Sequence, residues 1–138
     1  MKKKILITRK LLKENEDKLK ELFDVKLNVN DEIYTADKIL ELSKDCDGIL
    51  CAVTDKFNNE LINKLSPSIK IIANYAVGYG NIDVNAAKEK NIVVTNTPEV
   101  LDDSTADVSI LLLLGASRKV LEARRAAERQ DWKWSADF

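Results

Sequence analysis

Apolar and polar positions along the chain follow two patterns, which are short apolar runs and longer stretches with helical spacing. Short runs rich in β-branched residues are typical of buried strands, whereas apolar residues three or four positions apart are typical of amphipathic helices. The first pattern predicts five strands, at residues 4–8, 25–29, 48–53, 69–75 and 92–95. The second predicts helices between them, at residues 11–23, 35–42, 58–65 and 84–90.

This alternation of strands and helices determines the fold class that we expect. Strands separated by helices form a parallel sheet with helices on both faces. Right-handed crossover connections then favour a doubly wound sheet with the strand order 2-1-3-4-5. The sequence therefore predicts a flavodoxin-like α/β domain over residues 1–100.

After the fifth strand the alternation stops, and residues 101–138 follow a different pattern. Asn96-Thr97-Pro98 predicts a turn, and a single long helix is predicted from about Ser104 to about Arg129. Asp102 and Asp103 suit the start of this helix, because a helix N-terminus stabilises negative charge. Ser104 followed by Asp107 resembles a capping box.

The first half of the long helix is apolar on all sides. Residues 108–114 contain six large aliphatic side chains, and such a helix must be buried on more than one side. One sheet domain of 100 residues is too small to provide that cover. Residues 132–138 add two tryptophans and a phenylalanine, and so dense an aromatic tail rests on a partner surface or folds back on its own helix.

Composition and charge exclude several classes of protein. The chain is 45% hydrophobic and 33% charged with a formal net charge of −1, which indicates a globular domain without a basic surface for nucleic acid. The longest apolar run, residues 110–114, is too short to cross a membrane. Without an export signal, a cytoplasmic location is expected. Cys46 and Cys51 are expected to be core thiols, since two cysteines without any histidine form no zinc site.

The segment IIANYAVGYGNIDV, residues 71–84, carries the most chemical information. Ligands of open α/β sheets bind beyond the carboxyl ends of the strands, where a turn feeding a helix presents backbone N–H groups to an anion. Gly78 and Gly80 would allow the chain to turn where side chains crowd. A plain tight turn accounts for the same spacing.

This segment resembles the substrate-carboxylate loop of the D-2-hydroxyacid dehydrogenases, especially the glyoxylate and hydroxypyruvate reductases. The similarity continues through NIVVTNTPEVLDDSTADVSILLLL to Trp132 and covers about residues 45–138. The resemblance implies hydride transfer between NAD(P)H and a small 2-oxo acid. It also implies that the backbone amides of Val77 and Gly78 hold the substrate carboxylate. Most relatives have Asp at Gly80, so the conformation of this loop is left open.

Two further positions receive a role from the resemblance. The residue matching Val53 lines the substrate pocket in relatives, although an ordinary residue at the end of a strand fits the pattern equally well. Thr105 matches a threonine whose hydroxyl faces the nicotinamide, and a hydroxyl that caps the helix is the alternative. The resemblance also implies that residues 101–138 are the first piece of a cofactor domain. It implies that the remaining elements of that domain and a second subunit cover the helix, in a homodimer formed through the helix 104–129 and the arm 130–138.

The residues that the reaction also needs are missing from the 138 residues. No histidine is present, and four glycines cannot form the G-x-G-x-x-G fingerprint that holds a dinucleotide pyrophosphate. In the family, the substrate-binding arginine and the histidine–carboxylate pair follow that fingerprint. We therefore expect no catalytic residue, no bound cofactor and no turnover in this chain alone. The choice between NAD and NADP stays open.

Three other classes of protein share parts of this pattern. A non-catalytic dimerising or carboxylate-binding module of the same ancestry is one. A receiver domain of a signalling system is the second, but it needs an acidic pair after the first strand, and Asp55 near the third strand has no predicted partners. An FMN-binding flavodoxin is the third, and it needs a phosphate loop where this chain has Thr8-Arg9-Lys10.

Overall fold

The computed structural model describes residues 2–129 and contains one five-stranded parallel sheet. The strands are β1 (Lys4–Ile7), β2 (Asp24–Lys26), β3 (Gly48–Ala52), β4 (Ile71–Tyr75) and β5 (Val93–Thr95). The helices are α1 (Lys13–Leu22), α2 (Ala36–Ser43), α3 (Asn59–Lys64), α4 (Val84–Glu89), α5 (Asp102–Ser117) and α6 (Val120–Arg129). The sheet order is β2-β1-β3-β4-β5, which confirms the predicted doubly wound α/β fold.

The described residues divide into two compact units, residues 2–99 and residues 100–129. The first unit contains the whole sheet and α1–α4, and the second contains α5 and α6. None of the described helices combines the length and the apolar character that a membrane span requires.

The core of the first unit is built from apolar side chains of the sheet and of the helices that cover it. The largest of its fully buried side chains are Phe57, Leu6, Ile39, Ile49, Ile62, Ile69 and Ile72. Strands β1, β3 and β4 lie inside the sheet, which explains why their sequences are apolar runs without strict alternation.

Strands β2 and β4 are each two residues shorter than the sequence predicts, for local reasons, while the other three are one residue shorter. Strand β2 ends at Lys26 because the Asn28 side chain organises a turn, donating to the carbonyls of Thr8 (2.8 Å) and Glu32 (2.7 Å). Strand β4 begins at Ile71 because the preceding residues form another turn, in which Ile69 N–H donates to Ser66 O (3.0 Å).

The prediction of one long helix over 104–129 is wrong. Helix α5 ends at Ser117, and Lys119 has a φ of 49°, in the left-handed region. A residue in that conformation ends a right-handed helix, so α6 starts anew at Val120. The residue at the break is a lysine, and Gly115, the nearest glycine, lies within α5, so no residue type clearly signals this position in the sequence.

The predicted capping box is also wrong. The residue that precedes α5 is Leu101, and no side chain caps the helix. Ser104 and Asp107 lie inside the helix, while Asp102 and Asp103 occupy its first turn, as predicted. In the first unit, Thr35 does begin α2 as predicted, because its hydroxyl accepts a hydrogen bond from Lys38 N–H (3.3 Å).

Candidate functional site

The β4–α4 loop, residues 76–83, lies beyond the carboxyl end of β4, and asparagine side chains hold it in place. Asn74, buried near the end of β4, donates to Gly78 O (2.9 Å) and to Asn81 Oδ1 (2.9 Å). Asn81 donates in turn to the carbonyls of Ala52 (3.2 Å) and Asp55 (3.0 Å). The two loops that follow β3 and β4 are therefore joined through side-chain amides.

Two carbonyl groups of the β4–α4 loop are tied to the segment after β5. Thr97 N–H donates to Ala76 O (2.9 Å), and Asn96 Nδ2 donates to Val77 O (2.7 Å). The N–H groups of Val77 and Gly78 donate no hydrogen bond to any described residue. The loop thus presents two adjacent N–H groups without a partner among the described residues, on a backbone held by hydrogen bonds to its carbonyls.

The expectation that Gly78 and Gly80 relieve crowding in this loop is wrong. Neither has a positive φ, and a Cβ atom added to either would meet nothing within 4 Å in the structure. The turn is made by hydrogen bonds to its carbonyls, and an alanine would fit the same backbone. Gly80 therefore needs no glycine-specific conformation.

Val53 follows β3 and faces an open pocket. Its side chain is 65% exposed. A pocket of about 510 Å³ is lined by Val53 and, from the β4–α4 loop, by Gly80, Asn81, Ile82 and Asp83. Val53 and the β4–α4 loop therefore share one concave surface. Phe57, also at this pocket, is fully buried and pairs with Ile82 through an isolated β-bridge.

The expectation that Asp55 stands without partners is wrong. Asp55 is buried, and its Oδ2 accepts hydrogen bonds from Thr8 Oγ1 (2.6 Å) and Ala52 N–H (2.9 Å). Its Oδ1 is buried and has no partner in the described part of the chain. The predicted strand order places the ends of β1 and β3 side by side, but it does not show that Thr8 and Asp55, which follow those ends, are hydrogen-bonded.

Arg9, one residue further along, forms an ion pair that sequence analysis did not identify. Its guanidinium donates twice to Asp31, from Nε (2.8 Å) and Nη2 (2.9 Å), and once to Thr54 Oγ1 (2.8 Å). The Arg9 hydrogen bonds, assisted by one from Lys10 N–H, hold the pKa of Asp31 well below its usual range. Because its charge is neutralised in this pair, Arg9 offers no free cation to a ligand.

The two thiols are buried, as predicted. Burial raises the pKa of Cys51 to about 12 and also raises the pKa of Cys46. Such thiols are poor nucleophiles and poor metal ligands. Among residues 2–129 no three side chains of histidine, cysteine or acidic type come together in a way that could hold a metal ion.

Thr105 lies in the first turns of α5, in the second unit, and is exposed. Its N–H donates to Leu101 O (2.9 Å), and its carbonyl accepts from Ser109 Oγ (2.8 Å). Its hydroxyl caps no helix end, so the capping alternative is wrong. The predicted arm, residues 130–138, lies outside the described residues.

The sheet and the loop beyond β4 define an α/β domain of the class that presents ligand-binding loops at the carboxyl edge of a parallel sheet. The family model for the D-isomer specific 2-hydroxyacid dehydrogenase catalytic domain matches residues 5–130. The chain belongs to this family.

Individual relatives agree with the family. A glyoxylate reductase of Korarchaeum cryptofilum (strain OPF8) is 38% identical over 133 residues, and one of Thermococcus litoralis is 38% identical over 135 residues. These alignments cover 96% and 98% of this chain and 40% of each reductase. A crystal structure from Polaromonas sp. JS6 66, described as a D-isomer specific 2-hydroxyacid dehydrogenase, NAD-binding, superimposes with a TM-score of 0.84 at 32% identity. The superposition covers 99% of this chain and 43% of the Polaromonas chain. The chain thus spans about two fifths of the length of these relatives.

Proposed function

We propose that this chain forms the substrate-binding part of an NAD(P)-dependent reductase that acts on a small 2-oxo acid of the glyoxylate or hydroxypyruvate type. The observation that carries the proposal is the pair of free N–H groups at Val77 and Gly78. Paired backbone donors bind a carboxylate without a positively charged side chain, as helix N-termini and backbone nests do.

The pocket beside the loop supports a small substrate. Val53 presents an exposed apolar side chain on the concave surface that Gly80 also lines. We propose that Val53 contacts the substituent next to the 2-oxo group while the loop amides hold the carboxylate. A substrate held at both points has its 2-oxo carbon in a fixed position, which reduces the entropic cost of reaction.

The cofactor chemistry is proposed for the longer protein and not for these 138 residues. The sequence has no glycine fingerprint and no histidine, and its described residues form no dinucleotide cradle. These residues therefore do not fit NAD or NADP by themselves, and we derive no step through the cofactor. Thr105 is proposed to face the nicotinamide in a complete enzyme, since it matches the family threonine.

We also propose that α5 lies in a homodimer interface, together with α6 and the arm 130–138. Side chains of α5 from Val108 to Leu114 include six large aliphatic groups that are 53–69% exposed. Water contact over so large an apolar surface is unfavourable, which favours a second protein surface covering it.

The carboxylate site is tested by titrating the isotope-labelled chain with oxamate, an unreactive analogue of glyoxylate, in amide NMR spectra. We expect saturable shifts at the N–H signals of Val77 and Gly78. Val53→Asp should weaken binding because it adds negative charge at the pocket, whereas Val29→Asp, at a valine 69% exposed in another loop, is the matched control. Unchanged Val77 and Gly78 signals at saturating oxamate would contradict the proposal.

The same preparation tests the expected lack of turnover. Mixed with NADH and glyoxylate, the 138-residue chain should consume no NADH above the blank, because it contains no proton donor of the histidine type. Measurable consumption that scales with protein concentration would show that the chain is an active enzyme.

The alternative function is that of a non-catalytic carboxylate-binding module. A glycine fingerprint encoded downstream of Phe138 would argue against this alternative.

A further inference from the structure

The pocket beside Val53 has space and a charge that glyoxylate would not use. Its volume of about 510 Å³ lies within the range of about 300–1,000 Å³ that is typical of pockets for drug-sized ligands. Glyoxylate and hydroxypyruvate are much smaller than such ligands, so either would leave most of the pocket to water. Lys56 is the only basic residue among the described residues that line this pocket.

The backbone of Lys56 is held between two buried neighbours. Asp55 is buried, and its carboxylate accepts two hydrogen bonds. Phe57 is also buried, its N–H donates to Asn81 O (2.9 Å), and its carbonyl accepts from Asp83 N–H (2.8 Å). The exposed Lys56 side chain is therefore carried at the pocket by a stretch of chain that is fixed on both sides.

The positive charge of Lys56 is not neutralised within the described part of the chain. Its ammonium group makes no hydrogen bond or ion pair with any of residues 2–129. Asp83, the other charged residue at the pocket, accepts a hydrogen bond at Oδ1 from Ala86 N–H (3.0 Å), and the start of α4 partly offsets its negative charge. Lys56 can therefore pair with a negatively charged group of a ligand.

We propose that Lys56 is a specificity-determining residue that pairs with a second anionic group, a carboxylate or a phosphate, on the substituent of the 2-oxo acid. The inference rests on the proposed function, since it needs the first carboxylate at the Val77 and Gly78 amides and the substituent against Val53. Val53 and Lys56 lie on the same segment after β3 and line the same pocket. The proposal extends the substrate class to dicarboxylic or phosphorylated 2-oxo acids.

The size of the effect follows from the exposure of Lys56. An ion pair between exposed groups gains little, because water screens the charges and the lysine side chain loses freedom. A ligand with the second anionic group should therefore bind about two- to fivefold more tightly than one without it.

The test compares unreactive oxamate derivatives in the amide NMR titration of the 138-residue chain. N-ethyloxamate has a neutral substituent, N-oxalylglycine has a second carboxylate, and N-(phosphonomethyl)oxamate has a phosphonate in place of a phosphate. We expect at least one of the two doubly anionic ligands to bind about two- to fivefold more tightly than N-ethyloxamate. The tighter of these two identifies which anionic group the pocket prefers.

A ligand of opposite charge tests the assignment to Lys56 against the one other charged residue at the pocket. N-(2-aminoethyl)oxamate has an ammonium group on a substituent of similar length. It should bind less tightly than N-ethyloxamate, because Lys56 repels it. Tighter binding of this ligand would show that Asp83 governs the pocket and would overturn the inference.

Three variants complete the experiment. Lys56→Gln keeps a side chain of similar length without the charge and should abolish the preference for a second anionic group. Lys56→Glu should reverse it, so that the ammonium ligand binds more tightly than N-oxalylglycine. Lys44→Gln removes the same charge from an exposed lysine that follows α2, and this matched control should keep the wild-type preference.

The outcomes distinguish this inference from the proposed function. Equal affinity of the wild-type chain for N-ethyloxamate and both doubly anionic ligands would overturn the role of Lys56 and leave the proposed carboxylate site intact. A preference that survives in Lys56→Gln, or that is lost in Lys44→Gln, would also overturn it. Absence of any response to oxamate at Val77 and Gly78 would overturn the proposed site, and the inference with it.

Discussion

Gly48 is the one glycine of this chain whose missing side chain is required by packing in the described structure. It begins β3 and pairs with Ile5 on one side and Ile71 on the other. An added Cβ would lie 2.8 Å from Ile71 Cγ2 and 3.4 Å from Ile71 O. Ile71 is β-branched and stiff about its first side-chain bond, so it gives way only with strain.

We therefore expect Gly48→Ala to lower the free energy of unfolding by about 1–3 kcal/mol, the cost of an overpacked contact. Urea unfolding curves, recorded by circular dichroism, measure this change in the free energy of unfolding. Gly80→Ala is the matched control, since its added Cβ meets no atom within 4 Å and it should not lose stability. Equal stability of the two variants would show that β3 and β4 adapt to the extra methyl group.

Individual residues show which parts of the candidate site could be predicted from the sequence and which could not. Val77 and Gly78 could be chosen from a resemblance, but the sequence did not show that residues after β5 donate hydrogen bonds to the carbonyls of this loop. Asp55 could not be paired with Thr8 from spacing alone, because 47 positions separate them along the chain. Such contacts depend on which strands lie side by side.

Among the elements, the amino-terminal edge of the sheet is held by a group of charges. Asp45, in the turn between α2 and β3, forms ion pairs with Lys26 of β2 and Lys4 of β1, the latter at 2.9 Å. The hydrogen bonds from Lys26 and Lys4 hold the pKa of Asp45 well below its usual range. Asp47, bound by Lys3 (2.7 Å) and by Lys4 N–H (2.8 Å), also has a lowered pKa.

This group predicts a loss of stability in acid. A carboxylate whose pKa is lower in the folded than in the unfolded state stabilises the fold above its unfolded pKa, about 3.9, and that stabilisation disappears as pH falls through the folded pKa. Melting temperatures should therefore fall between about pH 5 and the acid limit. Asp45→Asn should lower the melting temperature at neutral pH and reduce its dependence on acid.

Glu89→Gln is the control for this group of charges, because the Glu89 side chain makes no hydrogen bond or ion pair within the described part of the chain. It should melt like the wild-type chain across the same pH range. An Asp45→Asn curve parallel to the wild-type curve at every pH would show that the ion pairs of Asp45 contribute no acid sensitivity.

Element types were predictable, and element ends less so. Strands and helices of the first unit follow from apolar runs and helical periodicity, but the end of β2 depends on the side chain of Asn28, which binds back to Thr8 O. The end of α5 depends on the left-handed conformation of Lys119. Neither residue type carries a strong local signal for its role, so periodicity alone extended both elements too far.

At the scale of the whole molecule, the exposed apolar surface of α5 leads to a prediction about assembly. Size-exclusion chromatography with light scattering should show self-association at micromolar concentration. Leu113→Glu should shift the chain toward the monomer, because a charge at a side chain 69% exposed disrupts an apolar interface without disturbing the sheet core.

Leu12→Glu is the matched control, since Leu12 is 72% exposed next to α1 and lies outside the proposed interface. It should associate like the wild-type chain. A wild-type chain that stays monomeric at high micromolar concentration would rule out the proposed homodimer through this helix.

The sequence by itself determined the class of fold, its strand order, and the choice of the segment beyond β4 as the candidate site for a ligand. These depend on local periodicity and on the handedness of crossover connections, which short stretches of sequence carry. Only the tertiary structure decided that Asn96 and Thr97 bind the carbonyls of the β4–α4 loop, that Asp55 meets Thr8, and that Gly48 has no room for a methyl group. Those facts depend on the spatial neighbours of each residue, and in a parallel sheet neighbouring strands are separated along the chain by whole crossover helices.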